Sequence, residues 1–139
     1  MTDPLFTRIR TSFDASPMLA TLGARLTEVA EGRVEIRAPI LPGSRQQQGF
    51  GHAGLSFTIG DTAAGYAALT RAPAGHEVVT VEIKINLLAP AMGDELVATG
   101  HLIRAGRSLS VVTAEVVAMT GDSAKTVALL QGTMMPVPL

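Results

Sequence analysis

Cysteine is absent from the 139 residues. That excludes disulfides, thiolate catalysis and cysteine-ligated metals together. Histidine is scarce: His52, His76 and His101 stand far apart, so no local histidine metal motif exists and no metal is expected. Charge of either sign is thin. Eleven basic and 12 acidic side chains leave a formal net charge of −1, and only 17% of residues are charged. No basic excess exists to neutralise a phosphate backbone, so nucleic acid is not an expected partner. Long hydrophobic runs are also missing. No stretch of about 18 apolar residues could span a bilayer, so no membrane partner is expected. The start, Met1-Thr2-Asp3-Pro4, lacks the basic residues and apolar run of a signal peptide. A cytoplasmic location is the expectation.

What is present is apolar. Hydrophobic residues make up 47% and mean hydropathy is +0.32, which excludes disorder. The length suits a single domain over residues 1–139, with room for one core. A low charge fraction on a small apolar chain hints at surface buried between subunits.

Periodicity divides the chain. Residues 1–22 read as a helical segment: Asp3 caps, Pro4 fits the first turn, and Leu5, Ile9 and Phe13 recur every four residues. Ser16-Pro17 stops this helix, and a short turn at Met18 to Leu22 follows. Residues 23–40 read as a hairpin turning at Glu31-Gly32, with Val34, Ile36 and Ala38 alternating against Glu35 and Arg37. Pro39, Pro42 and Gly43 open a loop to about Gly51. The Ala-rich stretch from Ala53 to about Arg71 is the one long helix, with Leu55, Ile59, Tyr66 and Leu69 near one stripe. Gly60 and Gly65 inside it point to close contact with a neighbouring element. Beyond Pro73 four strands follow, at residues 79–87, 96–104, 109–119 and 126–135. In the first of them Val79, Val81, Ile83, Ile85 and Leu87 alternate with Thr80, Glu82, Lys84 and Asn86. Short turns imply a meander. The fold class is α+β, an antiparallel sheet wrapped around one central helix. Met134 and Met135 read as core or edge packing, and His76 and His101 as surface residues.

Between Arg45 and Arg71 the only formally charged residue is Asp61. Burying an unpaired carboxylate is costly, so Asp61 is exposed, or paired, or functional. Gly49-Phe50-Gly51-His52-Ala53-Gly54 opens the helix with small residues, whose free first amides suit a developing oxyanion. An ordinary loop and helix start is the bland alternative. The same six residues match G-x-G-x-x-G, but they follow a polar stretch, not an apolar strand, so dinucleotide binding is rejected. Gly54 and Asp61 are seven residues apart, on one face but about 10 Å apart along the axis. One helix cannot aim both at one carbonyl. Two antiparallel helices about a two-fold axis can, which predicts a homodimer with composite sites.

With Gly49 to Gly54 and Asp61-Thr62-Ala63-Ala64-Gly65, the chain resembles the H-G-G…D-x-A pattern of the PaaI-like hotdog-fold acyl-CoA thioesterases. The strand ending Leu87-Leu88-Ala89-Pro90 and the turn Arg104-Ala105-Gly106-Arg107-Ser108-Leu109 are similar to that family too. The resemblance covers roughly residues 23 to 135. It implies hydrolysis of an acyl-CoA to a free acid and coenzyme A, with no cofactor beyond the coenzyme A of the substrate. By that resemblance Asp61 is the nucleophile or base, and the amide of Ala53, with Gly54, holds the thioester oxygen. His52 positions the loop or substrate, Gln46 places a polar group near the thioester, and Thr80 orients water. Arg104, Gly106, Arg107 and Ser108 meet coenzyme A, although solvated hairpin arginines are the bland alternative. Two departures stand out: Ala53 replaces the first glycine, and Gln46 replaces the usual Asn. The oligomer implied is a dimer or tetramer.

Attack on a thioester needs a carboxylate, an oxyanion donor and exclusion of water. No G-x-S-x-G elbow exists, which disfavours a serine hydrolase. A hotdog hydratase or dehydratase with His52 as base is one rival. A non-catalytic acyl-CoA binder is another. Phe57 and Leu55 are candidates for an acyl pocket, or equally for core.

Overall fold

A computed structural model describes residues 3–139; Met1 and Thr2 lie outside the described residues. Helix α1 (Pro4–Asp14) begins as expected: Asp3 Oδ1 accepts the Leu5 amide at 2.9 Å, and Ile9 and Phe13 are buried. A short α2 (Pro17–Thr21) follows. Strands β1 (Arg25–Ala30) and β2 (Arg33–Pro39) form the hairpin, turning at Gly32 with φ +76°. The loop includes a 3-10 turn (Pro42–Ser44) and leads into the central helix α3 (Ala53–Leu69). Then come β3 (His76–Leu87), β4 (Glu95–Ala105), β5 (Ser110–Thr120) and β6 (Ser123–Pro138). The six strands make one antiparallel sheet in the order β1-β2-β4-β5-β6-β3.

That order corrects the expected meander. Strands β4, β5 and β6 do meander, but β4 pairs with β2, and β3 lies at the far edge beside β6. The β3–β4 connection therefore crosses three strand spacings, about 14 Å. Seven extended residues reach about 23 Å, so a link short enough for a hairpin is also long enough for this crossing. Backbone bonds pin it: Leu88 N–H to Val127 O at 2.8 Å, Gly51 N–H to Ala91 O at 2.8 Å and Ile40 N–H to Asp94 O at 3.3 Å.

Helix α3 carries the core. Leu55, Ile59, Ala63, Ala64, Ala67, Ala68 and Leu69 are buried against the sheet. Its alanines let the sheet approach closely. At Gly100 of β4 an ideal Cβ would lie 2.3 Å from the Ala63 carbonyl carbon, so strand backbone touches helix backbone there. Gly60 is tight as expected, since its ideal Cβ would sit 2.9 Å from Leu130, but Gly65 has only ordinary contact with Met134 at 3.8 Å. Tyr66 leaves the expected stripe. It packs on α1, its ring centroid 6.5 Å from that of Phe13, and its hydroxyl donates to Ser12 Oγ at 3.1 Å.

The alternation in β3 also breaks. Thr80 pairs with Met134 but Glu82 pairs with Thr133, so Val81 is an extra residue. Such a bulge inverts which face the side chains take. Val78 and Thr80 before it share the helix-facing side with Ile83 and Ile85 after it, while Val79 and Val81 are exposed. Gly132 of β6 makes room: an ideal Cβ there would lie 2.4 Å from Glu82 O.

The two sheet edges differ. Around β1 and β2, Arg25, Glu28, Arg33, Glu35, Arg37 and Glu95 form a chain of ion pairs. Burial pushes the Glu35 carboxyl up, but hydrogen bonds from Arg37 and Thr27 and the nearby arginine charges leave it below its usual range. Charges on an edge discourage pairing with another chain. Strand β3 pairs on one side only and exposes Val79 (42%) and Val81 (52%).

Gly100→Ala is expected to destabilise the fold by about 3 kcal/mol, because a backbone-to-backbone contact cannot yield as a side chain can. Urea unfolding of the variant and wild type measures this directly; an unchanged midpoint would refute the close approach.

Candidate active site

Helix α3 starts at His52. Its Nδ1 accepts the Gly54 amide at 2.8 Å, capping one of the free first-turn donors. The missing side chain of Gly54 permits this, since an ideal Cβ would lie 3.0 Å from that Nδ1. Accepting at Nδ1 puts the proton of the neutral imidazole on Nε2. The Ala53 amide, next to it, has no protein acceptor among the described residues. Across a cavity of about 360 Å3, Gln46, Gly51, His52, Ala53 and Ser56 face one another. Gln46 itself braces the loop: its Oε1 accepts the amides of Gln48 and of Phe50, the latter at 3.3 Å. A second cleft of about 420 Å3, walled by Met18, Leu22, Phe57 and Ile85, opens on the other side of Ala53.

Two turns along α3 lies Asp61. It is half-buried and joins no ion pair among the described residues. Its one side-chain partner is Thr80, whose hydroxyl donates to Oδ1 at 2.7 Å and also lies 3.3 Å from the buried Met134 sulfur. The bulge at Val81 is what turns Thr80 toward the helix. Burial raises the carboxyl above its ordinary value, and the Thr80 hydrogen bond opposes that rise only in part. A carboxylate poised in this way accepts a proton more readily than a solvated one.

A half-buried carboxylate and a helix start with a free amide thus share one small α+β frame. Residues 48–125, more than half the chain, match the model of the thioesterase superfamily. The chain belongs to that superfamily. A Halobacterium salinarum protein described as a candidate esterase is 30% identical over 125 residues, 85% of this chain and 82% of its own. A solved thioesterase family protein from Silicibacter pomeroyi is 36% identical, with a TM-score of 0.94 over 97% of this chain and 99% of that one. The PaaI protein of the Escherichia coli phenylacetic acid degradation operon shares the fold, with a TM-score of 0.85 over 96% and 93% of the two chains at 22% identity. This thioesterase is a thioester hydrolase with the hotdog fold.

The thioesterase brings some of its expected site residues together and separates others. Asp61 and Thr80 meet, and Thr80 holds the carboxylate itself. His52, Ala53 and Gln46 gather at the helix start. The two groups stay apart, because α3 runs unbroken between them. The Gly54 amide is engaged by His52, so of the two expected oxyanion donors only Ala53 is left. Gly106, Arg107 and Ser108 line a third cavity, of about 460 Å3, whereas Arg104 is not part of its wall. His76 is half-buried in that wall, not a plain surface residue, and Arg71 joins it unforeseen; His101 is exposed. Leu55 is core, while Phe57 lines the apolar cleft. Met134 is buried and Met135 partly exposed, which fits core and edge packing. Among the described residues no helix is long and apolar enough to cross a membrane.

Thr80→Val removes the bond that holds the Asp61 carboxyl down, so its titration is expected to move further up. The acid limb of the pH–rate profile would shift the same way; an unmoved limb would separate Thr80 from Asp61. A second consequence follows from linkage. The raised folded value means the native state holds a proton that the unfolded chain releases, so stability falls as pH rises through that window. Above it the ionised group remains a cost, and Asp61→Asn is expected to melt no lower than wild type at neutral pH. A clearly lower melting temperature there would contradict this assignment.

Proposed function

We propose that this chain is a cytoplasmic acyl-CoA thioesterase acting as a homodimer, or as a homotetramer built from two such dimers, with each active site shared by two protomers. The observation that carries this reading is Asp61: a half-buried carboxylate with a raised pKa, held by Thr80 and balanced by no cation. It lies on a stripe of α3 (Gly54, Phe57, Thr58, Asp61, Thr62, Gly65) that its own sheet leaves uncovered. The threonines of that stripe satisfy their hydroxyls on the carbonyls of Gly54 and Thr58, at 2.8 and 2.6 Å, which suits a surface entering an interface. The unpaired side of β3 continues the same region with exposed valines. Pairing of two such edges would set two α3 helices antiparallel, and the start of one would face Asp61 of the other.

The reaction follows from those groups. Ionised Asp61 removes a proton from water as oxygen bonds the thioester carbon, or attacks that carbon itself. The carbonyl oxygen becomes an oxyanion and receives the Ala53 N–H. The C–S bond then breaks, the sulfur takes the proton that Asp61 removed from water, and coenzyme A leaves as a thiol with the acid released. Where Asp61 attacks the carbon itself, coenzyme A leaves as the C–S bond breaks, and water then cleaves the Asp61 acyl anhydride, freeing the acid and restoring the carboxylate. His52 keeps its Nε2–H outward as a donor beside the reacting carbonyl, and Gln46 shapes the loop behind it. The apolar cleft of Phe57 and Met18 suits a medium or long fatty chain or an aryl group. Use of His52 as a hydratase base is disfavoured, since a free Nε2 lone pair would require a proton on Nδ1 and loss of the cap.

Free-thiol release from a panel of short, medium, long and aryl acyl-CoAs tests the reading. Asp61→Asn is expected to lose about 10²–10⁴-fold in rate. Equal turnover by a folded Asp61→Asn would remove the mechanism. For the shared site, Val81→Lys at the β3 edge is expected to yield monomers that have lost activity. Sedimentation of wild type as an active monomer at micromolar concentration would exclude it.

A further inference from the structure

Helix α3 buries one hydroxyl that the fold does not use. Ser56 is 2% exposed, yet its Oγ has no hydrogen-bond partner among the described residues. Hydroxyls nearby are satisfied: Thr58 donates to Gly54 O at 2.8 Å, and Ser44 to Leu41 O at 3.1 Å. Among the described residues no fully occluded side-chain nitrogen or oxygen lacks a partner, so the Ser56 oxygen meets open space. That space is the cavity of about 360 Å3 that also holds Gln46, His52 and Ala53.

The two spaces beside Ala53 differ in what they ask of a ligand. In the cleft of Met18, Leu22, Phe57 and Ile85, the Ser44 and Thr58 hydroxyls are already bonded, so hydrocarbon can fill it without penalty. In the cavity, Leu87, Ala89, Pro90 and Val127 make an apolar wall around the Ser56 hydroxyl. Hydrocarbon there would strip water from Ser56 and leave it unpaired; a ligand with a polar group at that depth avoids the penalty. An apolar wall with one placed polar group is how a pocket fixes the orientation of its ligand.

A thioester runs in two directions from its carbonyl. The acyl side is hydrocarbon and matches the cleft. The thiol side of an acyl-CoA carries a secondary amide, whose nitrogen is four single bonds from the thioester carbon, about 5 Å when extended. Ser56 lies three residues beyond Ala53, about 4.5 Å along the helix axis. With the thioester oxygen on the Ala53 N–H, the amide comes level with Ser56.

We propose that Ser56 binds this first amide of the thiol arm and so selects thioesters that carry one. The inference rests on the acyl-CoA reading above and assigns the leaving-group side of its site. A hydroxyl both donates and accepts, so it can serve either polar group of the amide. The contact keeps the C–S bond in register with the Ala53 N–H. Ser56 thus determines specificity without touching the reacting atoms.

The test compares two thioesters of one acyl group. The N-acetylcysteamine thioester has the amide; the S-pentyl thioester has two methylenes in its place. Their kcat/KM ratio is measured for wild type and Ser56→Ala, and comparing the two ratios cancels both intrinsic reactivity and any general effect of the substitution. Wild type is expected to prefer the amide thioester, and Ser56→Ala to lose about tenfold of that preference. The variant should melt no lower than wild type, since alanine favours a helix and the hydroxyl has no partner in the fold to lose. Pantetheine binding followed by NMR needs no hydrolysis and should weaken similarly. An unchanged preference, or pantetheine binding indifferent to Ser56, would overturn the proposal, as would a clearly lower melting temperature, which would give the hydroxyl a structural partner. Should wild type hydrolyse neither thioester while pantetheine binding still depends on Ser56, the contact stands and the proposed reaction falls.

Discussion

The structure depends on how closely one helix lies against one sheet. At Gly100 the β4 backbone rests on the backbone of α3 at Ala63 and Ala64, and a side chain at position 100 would prevent it. The alanines of α3 and the glycines facing them are therefore one design. This close contact helps bury an apolar core in only 139 residues. It also fixes the rotation of α3 about its axis. Once Ala63, Ala64 and Ala67 face the sheet, Asp61 and Gly54 must face away from the sheet's centre, toward β3 and open surface.

The second constraint is a single extra residue. Without Val81 bulging from β3, the period of two would put Thr80 on the outer face and a valine beside Asp61. A buried carboxylate against valine would have no hydrogen bond at all, an expensive arrangement. The bulge exchanges those positions, and Gly132 on the neighbouring strand leaves the space it needs. The hydroxyl so delivered limits the rise in the carboxyl's pKa without abolishing it. Local backbone irregularity thus sets the protonation chemistry of the site.

Charge is distributed to match. Ion pairs cluster at the β1 and β2 edge, where they consume five of the chain's charged groups and Glu95 in mutual contacts. The helix start is nearly free of formal charge, and basic groups without carboxylate partners in the wall gather only around the third cavity. An apolar cleft at one end of α3 and a basic cavity at the other give the molecule a polarity that follows the helix axis.

The sequence determined the elements, because they rest on local physics. Asp3 and Pro4 began α1, the alternation of Val34, Ile36 and Ala38 marked β2, and an Ala-rich stretch without proline marked α3. Asp61 was legible by isolation, as the one charge between Arg45 and Arg71. The family pattern around His52 carried the fold and the reaction class. What depends on pairing between distant strands was not legible. A seven-residue link fits a hairpin and a three-strand crossing equally, so the place of β3 was decided only when β4 found β2. A bulge leaves the alternation of residue types intact while inverting their faces, so Thr80 could be named but not placed. His76 read as a surface residue and Arg71 only as the end of a helix, because each is unremarkable in its own segment, and they come together with Arg107 only when the helix end, β3 and the β4–β5 turn fold to one corner.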